Sequence, residues 1–290
     1  MEMYGMTGER LGLIGIQQPA GLPWKLPKWK QDFLVKPSVS IRRGIAWGYT
    51  PPFEDTDTLV LTAPSGQFVD IRFPKDATSA REASDHSSFW SFSGKAFTTF
   101  HDATRQPHAI DMPYTAHCKF LHDIDSRGPG ISDEGDMFLL MNGDCLEMGI
   151  MKNPATGKEE LYKEYWHSAE KLPNPNGQDD ENICLVACAT SPASVKGIVI
   201  RLGGRVQGII SSGDESGQQT VEVERWTRDR NSTRALPVDQ YISEAPPGPW
   251  SRDVRSSGFL PGGWLCLPGC QVGDSLEYNG ILWQVTEAHL

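Results

Sequence analysis

The chain is 290 residues long, with a formal charge of -10 and an isoelectric point near 5.2. That acidity argues against a nucleic-acid partner, because phosphate-backbone binding is driven by Lys and Arg releasing counterions. Hydrophobic residues make up 38% of the sequence and include nine Trp, enough for a packed core and, at this length, for two domains.

The first residues lack a continuous apolar stretch behind a basic start, so they do not read as a secretory signal, and no window approaches the run of about 18 apolar residues that a membrane span needs. A cytoplasmic protein is expected, with its six Cys as thiols. Residues 1–38 carry Pro19, Pro23, Pro27 and Pro37 around Trp24 and Trp29, a composition that suits an extended arm. From residue 39 the pattern changes to short runs rich in β-branched and aromatic residues. VSIRRGIAW, TLVLTA and QFVDIRF come first, the last two separated by the turn signal Pro64-Ser65-Gly66, which predicts a hairpin. Further strands are expected over 89–92, 114–124, 146–151 and 161–166. Residues 169–182, rich in Pro, Asn, Gly and acidic side chains, read as a linker between a first domain at 39–168 and a second at 183–290. The sequon Asn231-Ser232-Thr233 reads as a polar loop. Beyond the linker the strand pattern resumes with ICLVACA, GIVIRL, VQGIIS and TVEVERW. It ends in two alternating runs around Asn279-Gly280, the signature of a type I′ hairpin. Two sets of short strands suggest two antiparallel barrels or sandwiches.

A series of strings then points to one family: SIRRGIAW (40–47), TLVLTAPSGQFVDIRF (58–73), FWSFSG (89–94), TAHC followed by IDSRG (115–128), DEGDMF, KNPATGKEELYKEYW (152–166), GIVIRLGGRVQG and the terminal NGILWQVTEAH. In that order they resemble the fungal HRI-one family of casein-kinase-interacting proteins. The resemblance covers residues 39–290 and implies an all-β protein with two lipocalin-like antiparallel barrels in tandem. It delivers a fold more than a mechanism. One departure is His122-Asp123 where the family pattern leads one to expect His-Trp, and a carboxylate in place of a large aromatic is not neutral for packing.

The strand ending at Asp125 alternates, placing Cys118, Phe120, His122 and Ile124 on one face and Asp123 and Asp125 on the other. His122 among apolar residues is a candidate proton donor or acceptor, against the blander reading of a hydrogen-bonded core His. Trp90, Phe92, Phe120, Tyr162 and Trp166 come from three strands and either line one cavity or fill a solid barrel. Glu164 shares the face of Tyr162 and Trp166, where a carboxyl between aromatics suits a general acid. The pairs Cys184/Cys188 and Cys266/Cys270 invite zinc, but apolar strand positions favour core roles, so no metal is expected. GGRVQG lacks dinucleotide-loop spacing, and no other cofactor motif is present. The functional expectation is a cofactor-independent cyclase or isomerase of fungal secondary metabolism. It would close a ring on a small hydrophobic, aromatic or prenylated metabolite by proton transfer. His122, Asp123 and Glu164 are the catalytic candidates, and Trp90, Phe92, Phe120, Tyr162 and Trp166 the substrate-binding ones. The alternative is a non-catalytic adaptor for a protein kinase, or a carrier of a small ligand.

Overall fold

The computed structural model describes residues 37–75, 90–99, 115–169, 182–213, 219–228, 250–255, 258 and 260–289. The proline-rich arm up to residue 36, nearly all of the expected linker, residues 89 and 114, and the Asn231 sequon lie outside them.

Eight strands form the first half: β1 (Ser38–Trp47), β2 (Thr56–Thr62), β3 (Gln67–Pro74), β4 (Trp90–Thr99), β5 (Thr115–Asp125), β6 (Ser132–Leu139), β7 (Cys145–Lys152) and β8 (Glu159–Ser168). Each pairs antiparallel with the next, and β8 returns to β1 from Ser40↔Ser168 to Trp47↔Tyr162, so the sheet closes into a barrel. The second half contributes β9 (Cys184–Ser191), β10 (Val195–Leu202), β11 (Arg205–Gly213), β12 (Gln219–Arg228), β13 (Trp250–Arg255), the single helical turn α1 (Gly262–Leu265), β14 (Ser275–Tyr278) and β15 (Ile281–His289). These strands make one curled, seven-stranded sheet in the order β13-β12-β11-β10-β9-β15-β14. The all-β expectation therefore holds, with one barrel fully closed and its companion an open half-barrel. Both predicted hairpins form. Gly66 has φ of 83° in the β2–β3 turn, and Asn279 and Gly280 take φ of 49° and 79° between β14 and β15, as a type I′ turn requires. Among the described residues, no helix is long and apolar enough to cross a membrane.

The main apolar core lies outside the barrel rather than inside it. Leu59 and Leu61 of β2, Val69, Ile71 and Phe73 of β3, and Val39 of β1 point outward, and they pack on Val186, Ile198, Ile200, Leu202, Ile209 and Val223 of the second sheet. Period-two alternation then dictates that the intervening residues Val60, Phe68, Asp70 and Arg72 face the barrel interior. A polar seam stitches the same contact. The Gln207 amide donates to the carbonyls of Leu59 and Val69 at 2.9 and 3.0 Å. Arg225 in turn donates to the Gln207 side chain and to the carbonyl of Ile71. The far face of the second sheet carries its own core, built from Leu185, Val199, Val206, Ile210, Trp226, Trp283, Leu260 and Leu265.

Candidate functional site

The barrel encloses a cavity of about 780 Å³, within the ~300–1,000 Å³ usual for ligand pockets. One half of its wall is apolar, formed by Val60, Phe68, Phe120, Met137, Leu139 and Trp166, with the small side chains Ala96, Cys118 and Cys145 leaving the room. At the rim, the β6–β7 turn carries Leu140 and the fully exposed Met141. The floor is charged: Asp70, Arg72, Asp133 and Glu147 line it.

Beneath the floor a buried ion network fixes these groups. Arg72 donates from Nε and Nη2 to one oxygen of Asp70 at 3.0 and 2.7 Å, and from Nη1 toward Glu164 at 3.5 Å. Glu164 also accepts from Arg42 at 2.6 Å, and the remaining Arg42 donors go to Glu54 and Thr56. Burial works against the charge of Arg72, but Asp70 and Glu164 outweigh it and raise its pKa, so it stays ionised. Its guanidinium also lies over the rings of Trp90 and Phe92, 4.5 and 5.0 Å from their centroids. Burial pushes the Asp70 carboxyl up against the pull of Arg72. Its second oxygen, Oδ1, is buried and has no hydrogen-bond partner among the described residues.

Glu147 is the group whose environment most alters its chemistry. Its two oxygens accept from Tyr162 Oη at 2.7 Å and Trp166 Nε1 at 2.9 Å. Burial, then the charges of Glu164 and Asp133, push its pKa to about 8, so at neutral pH it holds a proton. Tyr162 is raised as well, first by burial and then by Glu147, and remains a phenol. Two glycines make space for that phenol, since a Cβ on Gly149 would sit 2.6 Å from Tyr162 Oη and one on Gly135 3.0 Å from it. Gly135 belongs to β6, a strand whose acidic sequence SDEGDMFL conceals its role.

A β-bulge redirects the end of β5. Ser93 of β4 pairs with Ile124, whereas the next residue, Gly94, pairs with His122, leaving Asp123 as the extra residue. Gly94 is needed here because a Cβ would run into the Leu121 carbonyl. The strict alternation expected for this strand therefore fails after His122: Ile124 turns outward into the core between the halves, and Asp125 turns inward. Asp125 binds His122 Nδ1 at 2.6 Å and accepts from Trp90 Nε1 at 3.1 Å. The His122 ring stacks on Phe92 at 4.2 Å, and its Nε2 lies 3.4 Å from Asp133 Oδ1, an ion-pair distance without an aligned hydrogen bond. Burial opposes the imidazolium, but Asp125 and Asp133 prevail and lift its pKa to about 9.

The structure thus sorts the expected residues. Phe92, Phe120 and Trp166 line the cavity. His122 and Glu164 are buried beneath its floor, each held by ion pairs. Tyr162 packs with Ile45 and Trp47, and Trp90 with Phe92 and His122, neither ring lining the cavity. Asp123 is a correction: the bulge leaves it exposed, outside the interior. Asp70, Arg72, Asp133 and Glu147 were not anticipated. For Asp70 and Arg72 the signal was the alternation in QFVDIRF, where they share a face with Phe68 opposite Val69, Ile71 and Phe73. The two Cys pairs lie on opposite faces of the second sheet, Cys184 and Cys188 toward the barrel and Cys266 and Cys270 in the far core. They are not brought together, and all six cysteines are thiols.

A family model described as Protein HRI1 matches residues 38–287. The chain is also similar in structure to an uncharacterized protein from Saccharomyces cerevisiae solved by crystallography, with a TM-score of 0.64 at 16% identity, covering 88% of this chain and 99% of that one. No curated protein matches the chain.

Proposed function

The chain belongs to the HRI1 family, and from that premise we propose that its closed barrel receives one small, largely apolar molecule, held with its polar end against the charged floor. The cavity supports this reading: about 780 Å³ of space stands inside a barrel whose eight strands would suffice to be filled solid by side chains. Apolar walls supply affinity and a few convergent polar groups fix orientation, as in ligand pockets generally. The test is saturable uptake of a neutral apolar fluorophore such as Nile red at one molecule per chain. Val60→Trp, which fills the apolar half, should abolish it while leaving the circular dichroism of the barrel intact. A chain that takes up none of a broad panel of apolar probes would sink this reading and return the protein to the adaptor class.

A second reading, proton-assisted ring closure or isomerisation without an added cofactor, is favoured by Glu147. A neutral carboxyl at the cavity wall can protonate a developing carbanion or alkene carbon, and the nearby carboxylate of Asp133 can take a proton from a hydroxyl nucleophile. Such transfer is worth about 10² to 10⁴ in rate. The acid in this scheme is Glu147 rather than His122 or Glu164: His122 is already an imidazolium clamped by Asp125, and Glu164 is held by two guanidinium groups. Glu147→Gln preserves shape and removes the proton. Against a panel of aromatic and prenylated precursors it should lower any turnover by at least about a hundredfold, and unchanged turnover would remove Glu147 from the chemistry.

A further inference from the structure

We infer that the polar end of the molecule is a protonated amine, so that the barrel is a receptacle for amphipathic organic cations. The inference rests on the ligand-binding reading above and deepens it. It starts from which atoms at the floor have bonding capacity left. Arg42 has spent its donors on Glu54, Thr56 and Glu164. Arg72 has spent Nε and Nη2 on Asp70 and directs Nη1 at Glu164. Neither guanidinium is free to receive an anionic group.

The acceptors are in the opposite state. Asp70 Oδ1 is fully desolvated and bonded to nothing among the described residues, on a residue that is 3% exposed and lines the cavity. Asp133 Oδ1 likewise has no hydrogen bond and lies 3.4 Å from the His122 imidazole. A buried carboxylate oxygen left without a donor is destabilising, and an N–H or O–H brought to it by a bound molecule relieves that cost.

Charge points the same way. Glu54, Asp70, Asp125, Asp133 and Glu164 are faced by Arg42, Arg72, His122 and, over the outer face of Trp90, Arg127. With Glu147 neutral, the five carboxyl groups leave the four cations no surplus positive charge with which to receive an anion, even with burial pushing the Asp70 carboxyl up. Phe68, Phe120 and Trp166 on the cavity wall add ring faces that attract an ammonium and repel a carboxylate.

The experiment compares three ligands of one shape on the wild-type chain by calorimetry near neutral pH: 2-(1-naphthyl)ethylamine, the matching alcohol, and 3-(1-naphthyl)propionate. The amine should bind at least about tenfold more tightly than the alcohol, and the propionate most weakly, an order set by one charge-assisted hydrogen bond to a buried acceptor. Asp70→Asn and Asp133→Asn should each shrink the amine-to-alcohol ratio toward unity. If Asp70→Asn fails to fold because Arg72 loses its partner, Asp133→Asn and the wild-type order still decide. An alcohol binding as tightly as the amine would overturn the cation inference and leave the cavity reading standing. Failure of all three, together with failure of Nile red uptake, would overturn both.

Discussion

The interior of the barrel and the core on the far face of the second sheet are built from the same kind of strand, yet they are opposite in content. The far core is filled: Trp283 is fully buried, its ring sits where a Cβ on Gly197 would lie, and Leu265 of α1 packs beside it. The barrel interior holds a cavity and a buried ion network. What separates them is where each sheet finds its apolar partner. Strands β1–β3 bury their hydrophobic faces outward against the second sheet, so the barrel does not need a solid centre to be stable. The interior is thereby free to carry charge and empty space, both of which cost stability.

Substitutions test this contrast in descending order of effect. Glu164→Ala would leave Arg42 and Arg72 buried with fewer counter-charges and should cost about 3–5 kcal/mol in urea unfolding, as breaking a buried ion pair does. A loss below about 1 kcal/mol would show that water reaches the network. Next, Leu265→Ala in the filled core should cost about 2–5 kcal/mol, because a new void opens there. Met137→Ala on the cavity wall should cost only about 1–2 kcal/mol, since the space it vacates merges with one that already exists. Equal losses would break the comparison outright.

The last test, read as a slope rather than as a single loss, is the pH dependence. Glu147 holds its proton in the folded state up to about 8, against 4.5 when unfolded, so its stabilisation is greatest at low pH and is lost as pH rises between those values. His122 contributes with the same sign: its folded value of about 9 exceeds 6.5, and its stabilisation disappears as pH rises through that window. Unfolding free energy should therefore fall from mildly acid to mildly alkaline pH, by up to about 1.4 kcal/mol per pH unit for each group. Glu147→Gln should flatten the curve below about pH 8 and leave the His122 portion. A profile rising across this range would contradict the buried, neutral carboxyl.

Much of the architecture was legible because turn chemistry and period-two patterns are local. Pro64-Ser65-Gly66 and Asn279-Gly280 dictate their hairpins without knowledge of anything distant. β6 was missed because its acidic residues mask the inward positions Asp133, Gly135 and Met137, and β13 because only Trp250 and Val254 mark it as a strand. The site was half legible. Phe92, Phe120 and Trp166 are aromatic and announce a wall, whereas Asp70 and Arg72 look like the wet side of an amphipathic strand. Only the second sheet, which covers the other side of β3, makes the charged face the inside. Asp123 stays on the outer face where alternation puts it, whereas Ile124 and Asp125 swap faces because one bulged residue, opposite Gly94, reverses every side chain after it.

The strand order of the second sheet bears on how the chain is assembled. β15 lies between β9 and β14, pairing along β9 from Leu282↔Ser191 to His289↔Cys184, across about a hundred residues of sequence. Contacts of such separation close slowly, because the loop entropy is lost before any pairing energy returns. During synthesis β9 must therefore wait with one edge bare until residues 281–289 emerge. The wall of the barrel can rest on β9–β12 in the meantime, but the core around Trp283 is completed last.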